Sequence, residues 1–291
     1  MLAWTTAGAV ARPRTLHLRL HRAYPDRVEA GAPVPTRSLS TAEVTANILH
    51  FTAASSRGQP VDALVFSGQG VPARPDLPAL VALARGRGVN RVTLHVGVED
   101  LVGLAVVPGV DHHVLPVRLG PGGAAAEALA AAFAGARTAG VAISANVPLA
   151  TPSLATAADA AELALAGGAA SVTFTYPFPT GGAEAPPPVA DAVAALVRAV
   201  PRVENAGVAV AIKGLPACWL GPLARHLRRS ANRWYVDADH QLDAALLFFP
   251  GVVAFAKADP CRFCAADAAC DGFFPAWAGR AAEPPLLPVA G

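Results

Sequence analysis

A chain of 291 residues, 53% hydrophobic and only 15% charged, can bury the core of one large domain, or of a large domain plus a small one. Its formal net charge of +2 gives no electrostatic case for nucleic acid or for an acidic partner. No run reaches the roughly eighteen uninterrupted apolar residues of a membrane helix, and Met1 to Val10 lack the basic start of a signal peptide, so a cytoplasmic protein is expected.

In chain order, Thr15 to Leu20 reads as a first strand, followed by a Pro/Gly loop through Pro35. Ser40 opens a helix, with Glu43 three residues on to complete a capping box and Val44, Ile48 and Phe51 on one face. Asp62 to Phe66 is a second strand, ending in the turn Ser67-Gly68-Gln69-Gly70. Leu77 to Arg85 is helical and Arg91 to Val96 is a third strand. Further strands are expected at Val114 to Leu119, Val141 to Val147, Ser171 to Tyr176 and Val208 to Ile212. Between them Ala124 to Ala136, Ala155 to Ala166 and Val189 to Val200 read as helices. Repeated strand–helix units predict a parallel sheet, here a partial (β/α)6 TIM-like barrel. The rhythm breaks at Leu215, so the barrel is assigned to residues 1–213 and a small extension to 214–291, ending in a disordered Pro-rich tail.

All four cysteines of the chain lie in that extension: Cys218, then Cys261, Cys264 and Cys270 in C-R-F-C-A-A-D-A-A-C. Four thiolates brought together close a tetrahedral site for structural zinc, or hold an iron–sulfur cluster. A redox C-x-x-C at Cys261 and Cys264 leaves Cys270 without a role, and four buried free thiols remain the plain alternative.

The other constellations are weaker. Asp237, Asp239, His240 and Asp243 suit a turn and helix start with Asp239 as N-cap better than a metal site. Asp111, His112, His113 and His95 read as loop residues, although His95 ends a strand and would there face a barrel mouth. His17 and His21, with Arg19 and Arg22, would suit an anionic ligand in a barrel cavity. Arg225, Arg228, Arg229 and Arg233 read as a solvated helix face. No Walker loop, G-x-S-x-G elbow or H-E-x-x-H is present, and no catalytic residue is assigned.

Over residues 12–275 the order of strands and turns resembles the radical SAM superfamily. In that family a C-x-x-x-C-x-x-C holds an iron–sulfur cluster that binds S-adenosylmethionine. The matching stretch here, L-H-L-R-L-H-R-A, has Leu16, Leu20 and Ala23 in place of the three cysteines. The family's S-G-G-E-P-T-L-R-P-D-L aligns without a gap to Ser67 through Leu77; Arg74-Pro75-Asp76-Leu77 is intact, while Gly70 replaces the acidic residue that contacts the methionine amino group. A third signature, a strand ending T-N-G, becomes Leu94-His95-Val96-Gly97-Val98. Cys261, Cys264 and Cys270 match the core spacing of the family's SPASM or twitch extensions, although Phe274 stands where a fuller version has a further cysteine.

This resemblance implies a degenerate protein that neither binds nor cleaves S-adenosylmethionine. It implies one auxiliary 4Fe–4S cluster on Cys218, Cys261, Cys264 and Cys270, with zinc as the alternative metal. The protein would then serve as partner or scaffold subunit of an active radical SAM enzyme, contacting that enzyme, a peptide substrate, or both, in peptide or natural-product modification. The rival expectations are an enzyme using the barrel cavity or the cluster for other chemistry, including electron transfer, and a zinc-stapled binding module. No nucleic-acid or membrane partner is expected.

Overall fold

A computed structural model describes residues 13–21, 37–54, 60–101, 106–119, 124–178, 186–230, 232–248 and 255–289. Among them nine strands form one sheet: β1 (Thr15–Arg19), β2 (Ala63–Ser67), β3 (Arg91–His95), β4 (His112–Pro116), β5 (Ile143–Pro148), β6 (Ser171–Thr175), β7 (Ala209–Lys213), β8 (Arg233–Val236) and β9 (Leu246–Phe248). The order is β7-β6-β5-β4-β3-β2-β1-β8-β9, and every neighbouring pair is parallel except β8–β9. Eight strands therefore run parallel: the seven expected from the sequence, one more than a (β/α)6 barrel holds, and β8. The seventh continues the strand–helix series, and β8 returns from the far end of the chain to pair with β1 through Leu16↔Trp234 and Leu18↔Val236.

Period-two alternation divides each strand between two environments. Leu16, Leu18, Leu64, Phe66, Val92, Leu94, Leu115, Ala145, Val172, Phe174 and Ile212 are all buried in the core. These are the positions that pair with one another across the register, so they build one continuous apolar face. The helices cover it: α1 (Thr41–Thr52), α2 (Leu77–Gly86), α3 (Ala126–Thr138), α4 (Ala157–Ala166) and α5 (Val189–Asn205). The opposite face carries His17, Arg19, Thr93, His95, Asn146, Thr173, Thr175, Lys213 and Tyr235. The sheet curls around this polar face. Lys213 on the edge strand β7 lies within electrostatic reach of Arg233 on β8, though seven steps of the sheet order separate the two strands. The result is an open TIM-like barrel with a polar lumen.

Local chemistry fixes the element ends. The capping box at α1 is complete: Glu43 N–H donates to Ser40 Oγ (3.3 Å), and Ser40 N–H donates to Glu43 Oε2 (2.8 Å). Helix α5 runs past Val200, its expected end, through Pro201 to Asn205. Pro201 lacks the N–H that would bond the Val197 carbonyl, and Val197 is on the exposed side, where water can take that place.

The extension begins with α6 (Ala217–Leu220). After β9 it packs aromatic side chains against the end of the barrel, with Phe255 stacked on Phe274 at 4.2 Å and both near Phe178. Trp277 Nε1–H donates to the Pro177 carbonyl (2.8 Å), and Val189 N–H at the start of α5 donates to Ala281 O (2.9 Å). The tail is not loose through residue 289: Trp219 Nε1–H reaches Pro285 O (3.2 Å), and Ala265 N–H reaches Val289 O (3.1 Å).

Candidate metal centre and barrel lumen

The four cysteines are separated by up to 52 residues of chain, yet all four line one small cavity of about 20 Å³. Cys218 stands in α6, directly after Pro216 and Ala217. Cys261 sits in a tight turn, Asp259–Phe263, and Cys264 follows that turn; Cys270 follows a second one, Asp267–Ala269. Each turn reverses the chain so that the next thiol comes back to the same space. Gly272 makes the exit possible with φ +94°; a Cβ there would lie 2.1 Å from Ala256 O, inside the antiparallel bridge between Ala256 and Phe273.

No disulfide joins these cysteines. Backbone N–H groups point at their sulfurs instead: Ala217 and Gly272 at Cys270 Sγ (3.5 and 3.3 Å), Val289 at Cys264 Sγ (3.3 Å), and Leu287 at Cys218. Such donors stabilise thiolate charge. Burial pushes the Cys218 thiol up, opposed by the Leu287 N–H and reinforced by the charges of Cys270 and Cys261. Opposite them, the Lys257 ammonium is held by Asp267 (2.6 Å) at the cavity wall. Among the described residues, no three His, Cys, Asp or Glu side chains close on a point that would hold a single ion.

The positions aligned with the family's first cluster lie elsewhere. Leu16 and Leu20 are fully buried in the hydrophobic core, on the same side of β1 as Leu18. Ala23 lies outside the described residues. Gly70 adopts φ +75°, and its N–H donates to Asp100 Oδ1 (3.0 Å), whose second oxygen takes Gly97 N–H (2.9 Å). The intact Arg74-Pro75-Asp76-Leu77 segment is a clamp between helices. Arg74 pairs with Asp76 (2.6 Å) and donates to Leu39 O, while Thr41 Oγ1–H at the start of α1 donates to Asp76 Oδ2. Arg74 foremost holds the Asp76 carboxyl down at about 2.

The other side of β1 faces the lumen. His17 Nε2 lies 2.7 Å from Ser67 Oγ, and its ring packs on His95 (5.4 Å) and Tyr235 (5.5 Å). An arginine only donates, so Arg233 at 3.3 Å assigns the lone pair to His17 Nδ1 and the proton to Nε2, which donates to Ser67. Arg19 donates to Tyr235 Oη (2.8 Å). His17 and Arg19 thus share a lumen face, and His95 faces the lumen too, while Arg22 is outside the described residues. Among the leucines of Thr15 to Leu20, the alternating His17 and Arg19 were the legible signal of this face.

Three readings need correction. His113 is not a loop residue: it is buried in β4, and among the described residues its Nε2 has no hydrogen-bond partner. Asp237, not Asp239, organises the 237–243 turn, its Oδ1 accepting from the N–H groups of Asp239 and His240 and lying 2.9 Å from His240 Nδ1. The Arg225–Arg233 stretch is not one helix face: Arg225 pairs with Glu204, Arg229 with Asp271, and Arg233 enters the lumen from β8.

No protein-family profile matches the chain. No curated protein matches it in sequence. Among solved structures, Streptococcus suis SuiB bound to S-adenosylmethionine is similar with a TM-score of 0.58 at 11% identity, over 91% of this chain and 73% of SuiB. SuiB bound to the precursor peptide SuiA aligns at a TM-score of 0.48 and 9% identity, over 70% of this chain and 49% of that one. At such identity the first likeness is one of fold alone. Among the described residues no helix is long and apolar enough to cross a membrane.

Proposed function

We propose that this chain is a catalytically degenerate radical-SAM-like protein with one auxiliary 4Fe–4S cluster held by Cys218, Cys261, Cys264 and Cys270. It acts as a partner subunit of an active radical SAM enzyme in peptide or natural-product modification. The barrel is taken as residues 1–213 and the cluster-bearing extension as 214–291, which also lends β8 to the sheet. The observation that carries the reading is the convergence of all four thiols on one cavity ringed by N–H donors.

The donor set fits an iron–sulfur cluster. A zinc ion with bonds near 2.3 Å requires its four sulfurs about 3.8 Å apart around one point. Four thiols around a shared cavity, with backbone N–H groups directed at their sulfurs, are the donor chemistry such a cluster would take. When bound, such a cluster supplies one-electron chemistry at a potential set by hydrogen bonds to sulfur. The chain's own part is to hold the ligands, through the turns at Cys261 and Cys270, and to exclude water with the tail at Leu286 and Leu287.

Degeneracy is supported by the sequence, in which no cysteine precedes Cys218, and by the burial of Leu16 and Leu20. Leucine carries no lone pair for iron. The peptide and the partner enzyme come to this chain from the family resemblance.

Anaerobic purification and reconstitution test the reading. About four irons and four sulfides per chain are expected; one zinc and no sulfide would replace the cluster with a zinc staple. Incubated with S-adenosylmethionine and dithionite, the isolated chain should make no 5′-deoxyadenosine. Product formation by the chain alone would sink the partner reading.

A further inference from the structure

The chain holds 21 arginines and only two lysines, Lys213 and Lys257. Arginine cannot lose its proton in a protein, whereas a lysine amine can, and a neutral amine is a nucleophile. Lys257 has a structural task beside the thiols, donating to Asp267 Oδ1 (2.6 Å) and Asp267 O (2.8 Å). Among the described residues Lys213 has no such anchor.

Lys213 ends β7, where alternation with buried Val210 and Ile212 turns its half-buried side chain into the lumen. It stands beside Thr175 in the register, at the carboxyl end of the strands, the end where barrel enzymes assemble their sites. Among the described residues no hydrogen bond or ion pair holds its amine. Asp271 is the acidic group in electrostatic reach, but both its oxygens are engaged, Oδ1 by Arg229 Nε–H (2.9 Å) and Oδ2 by Ser230 N–H (2.7 Å). Arg233 and Arg91 add positive charge near the amine.

We propose that Lys213 is a reactive lumen amine that condenses with a small anionic carbonyl compound, of the α-keto acid or oxo-carboxylate class, to form a Schiff base. The amine lone pair attacks the carbonyl carbon and a C–N bond forms. The carbinolamine then loses its oxygen as water, with both amine protons, leaving the neutral imine; no electron is gained or lost. The field of Arg233 and Arg91 favours the ligand's carboxylate close to the amine. Burial first, then those two cations, push the amine's titration down against the pull of Asp271, which raises the share of free base at neutral pH. This activity needs neither the proposed cluster nor the proposed partner.

The test uses the full chain at pH 7 with glyoxylate and cyanoborohydride, which traps imines as stable adducts. Nα-acetyl-lysine amide in the same tube is the reference, and peptide mapping separates Lys213, Lys257 and the N-terminal amine. A larger share of free base speeds imine formation, so Lys213 should label several-fold faster than the reference and faster than Lys257, whose ammonium is held by Asp267. The lead should shrink with propionaldehyde, which has no carboxylate; an equal lead with both would overturn the anionic half of the proposal. Lys213→Arg should abolish the fast adduct. If that variant fails to fold, the comparison within the wild-type chain still decides: Lys213 labelling no faster than the reference overturns the proposal, and leaves the amine as a lumen charge balanced at a distance by Asp271.

Discussion

His113 stands on the helix-facing side of β4, opposite Leu94 and Ile143 in the register and only 4% exposed. Burial foremost, then the charge of neighbouring His112, push its titration down to about 4, against a bond to the Ala142 backbone. The unfolded imidazole titrates near 6.5, so the folded state disfavours the proton. The stability this neutral histidine preserves is whole above about pH 6.5 and is lost progressively as pH falls toward 4, by at most about 3 kcal/mol. His113→Leu should flatten that acid branch, moving the acid-unfolding midpoint to lower pH in circular dichroism; an unchanged midpoint would remove His113 from the account. Also at this scale, Cys264→Ala removes one of four proposed ligands. It should cost the metal and speed hydrogen exchange across residues 255–289 while exchange in β1 to β7 stays slow.

Elements here are held by pieces that are far apart in sequence. The Ser40–Glu43 box closes α1, and the same Glu43 carboxylate takes Gln241 Nε2–H (3.0 Å) from the turn after β8, while Asn47 Oδ1 accepts Leu242 N–H (2.9 Å). Ser40→Ala should cost about 1 kcal/mol in urea unfolding, the usual worth of an N-cap. At the other end of the chain, Gly272 combines φ +94° with backbone at 2.1 Å from any added Cβ. Gly272→Ala should break the Ala256–Phe273 bridge and expose the extension to limited proteolysis, well beyond the roughly 1 kcal/mol of an ordinary Gly→Ala exchange.

On the scale of the whole molecule, the sheet is continuous across the boundary between barrel and extension, because β8 pairs with β1 and the aromatic side chains of 255–277 cover the barrel end. Past β9 the described extension is built from short turns and one two-residue bridge, so metal binding should contribute much of its folding free energy. Chelation of the reconstituted protein should therefore lower the melting temperature of this region as a separate early transition, seen by calorimetry. A single transition that does not move on chelation would mean that aromatic packing alone holds the extension.

Features that depend on neighbours within a few residues were legible in the amino-acid sequence. The capping box at Ser40, the alternating leucines of β1, the parallel strand–helix series and the tight spacing of Cys261, Cys264 and Cys270 are of this kind, because backbone geometry imposes periods of 2 and 3.6 on whatever sequence occupies it. Tertiary structure alone decided the rest. Cys218 reaches the other thiols across 43 residues only because α6 and the two turns pack against each other. His113 and its neighbour His112 look alike in sequence, and the register of β4 buries one and exposes the other. Arg233 lies in the lumen because β8 crosses back to β1, and the tail is drawn over the thiols by hydrogen bonds to Trp219, Ala265 and Cys264. Which distant strands become neighbours, and in what register, depends on the summed burial of the whole apolar face, a quantity no short window of sequence contains.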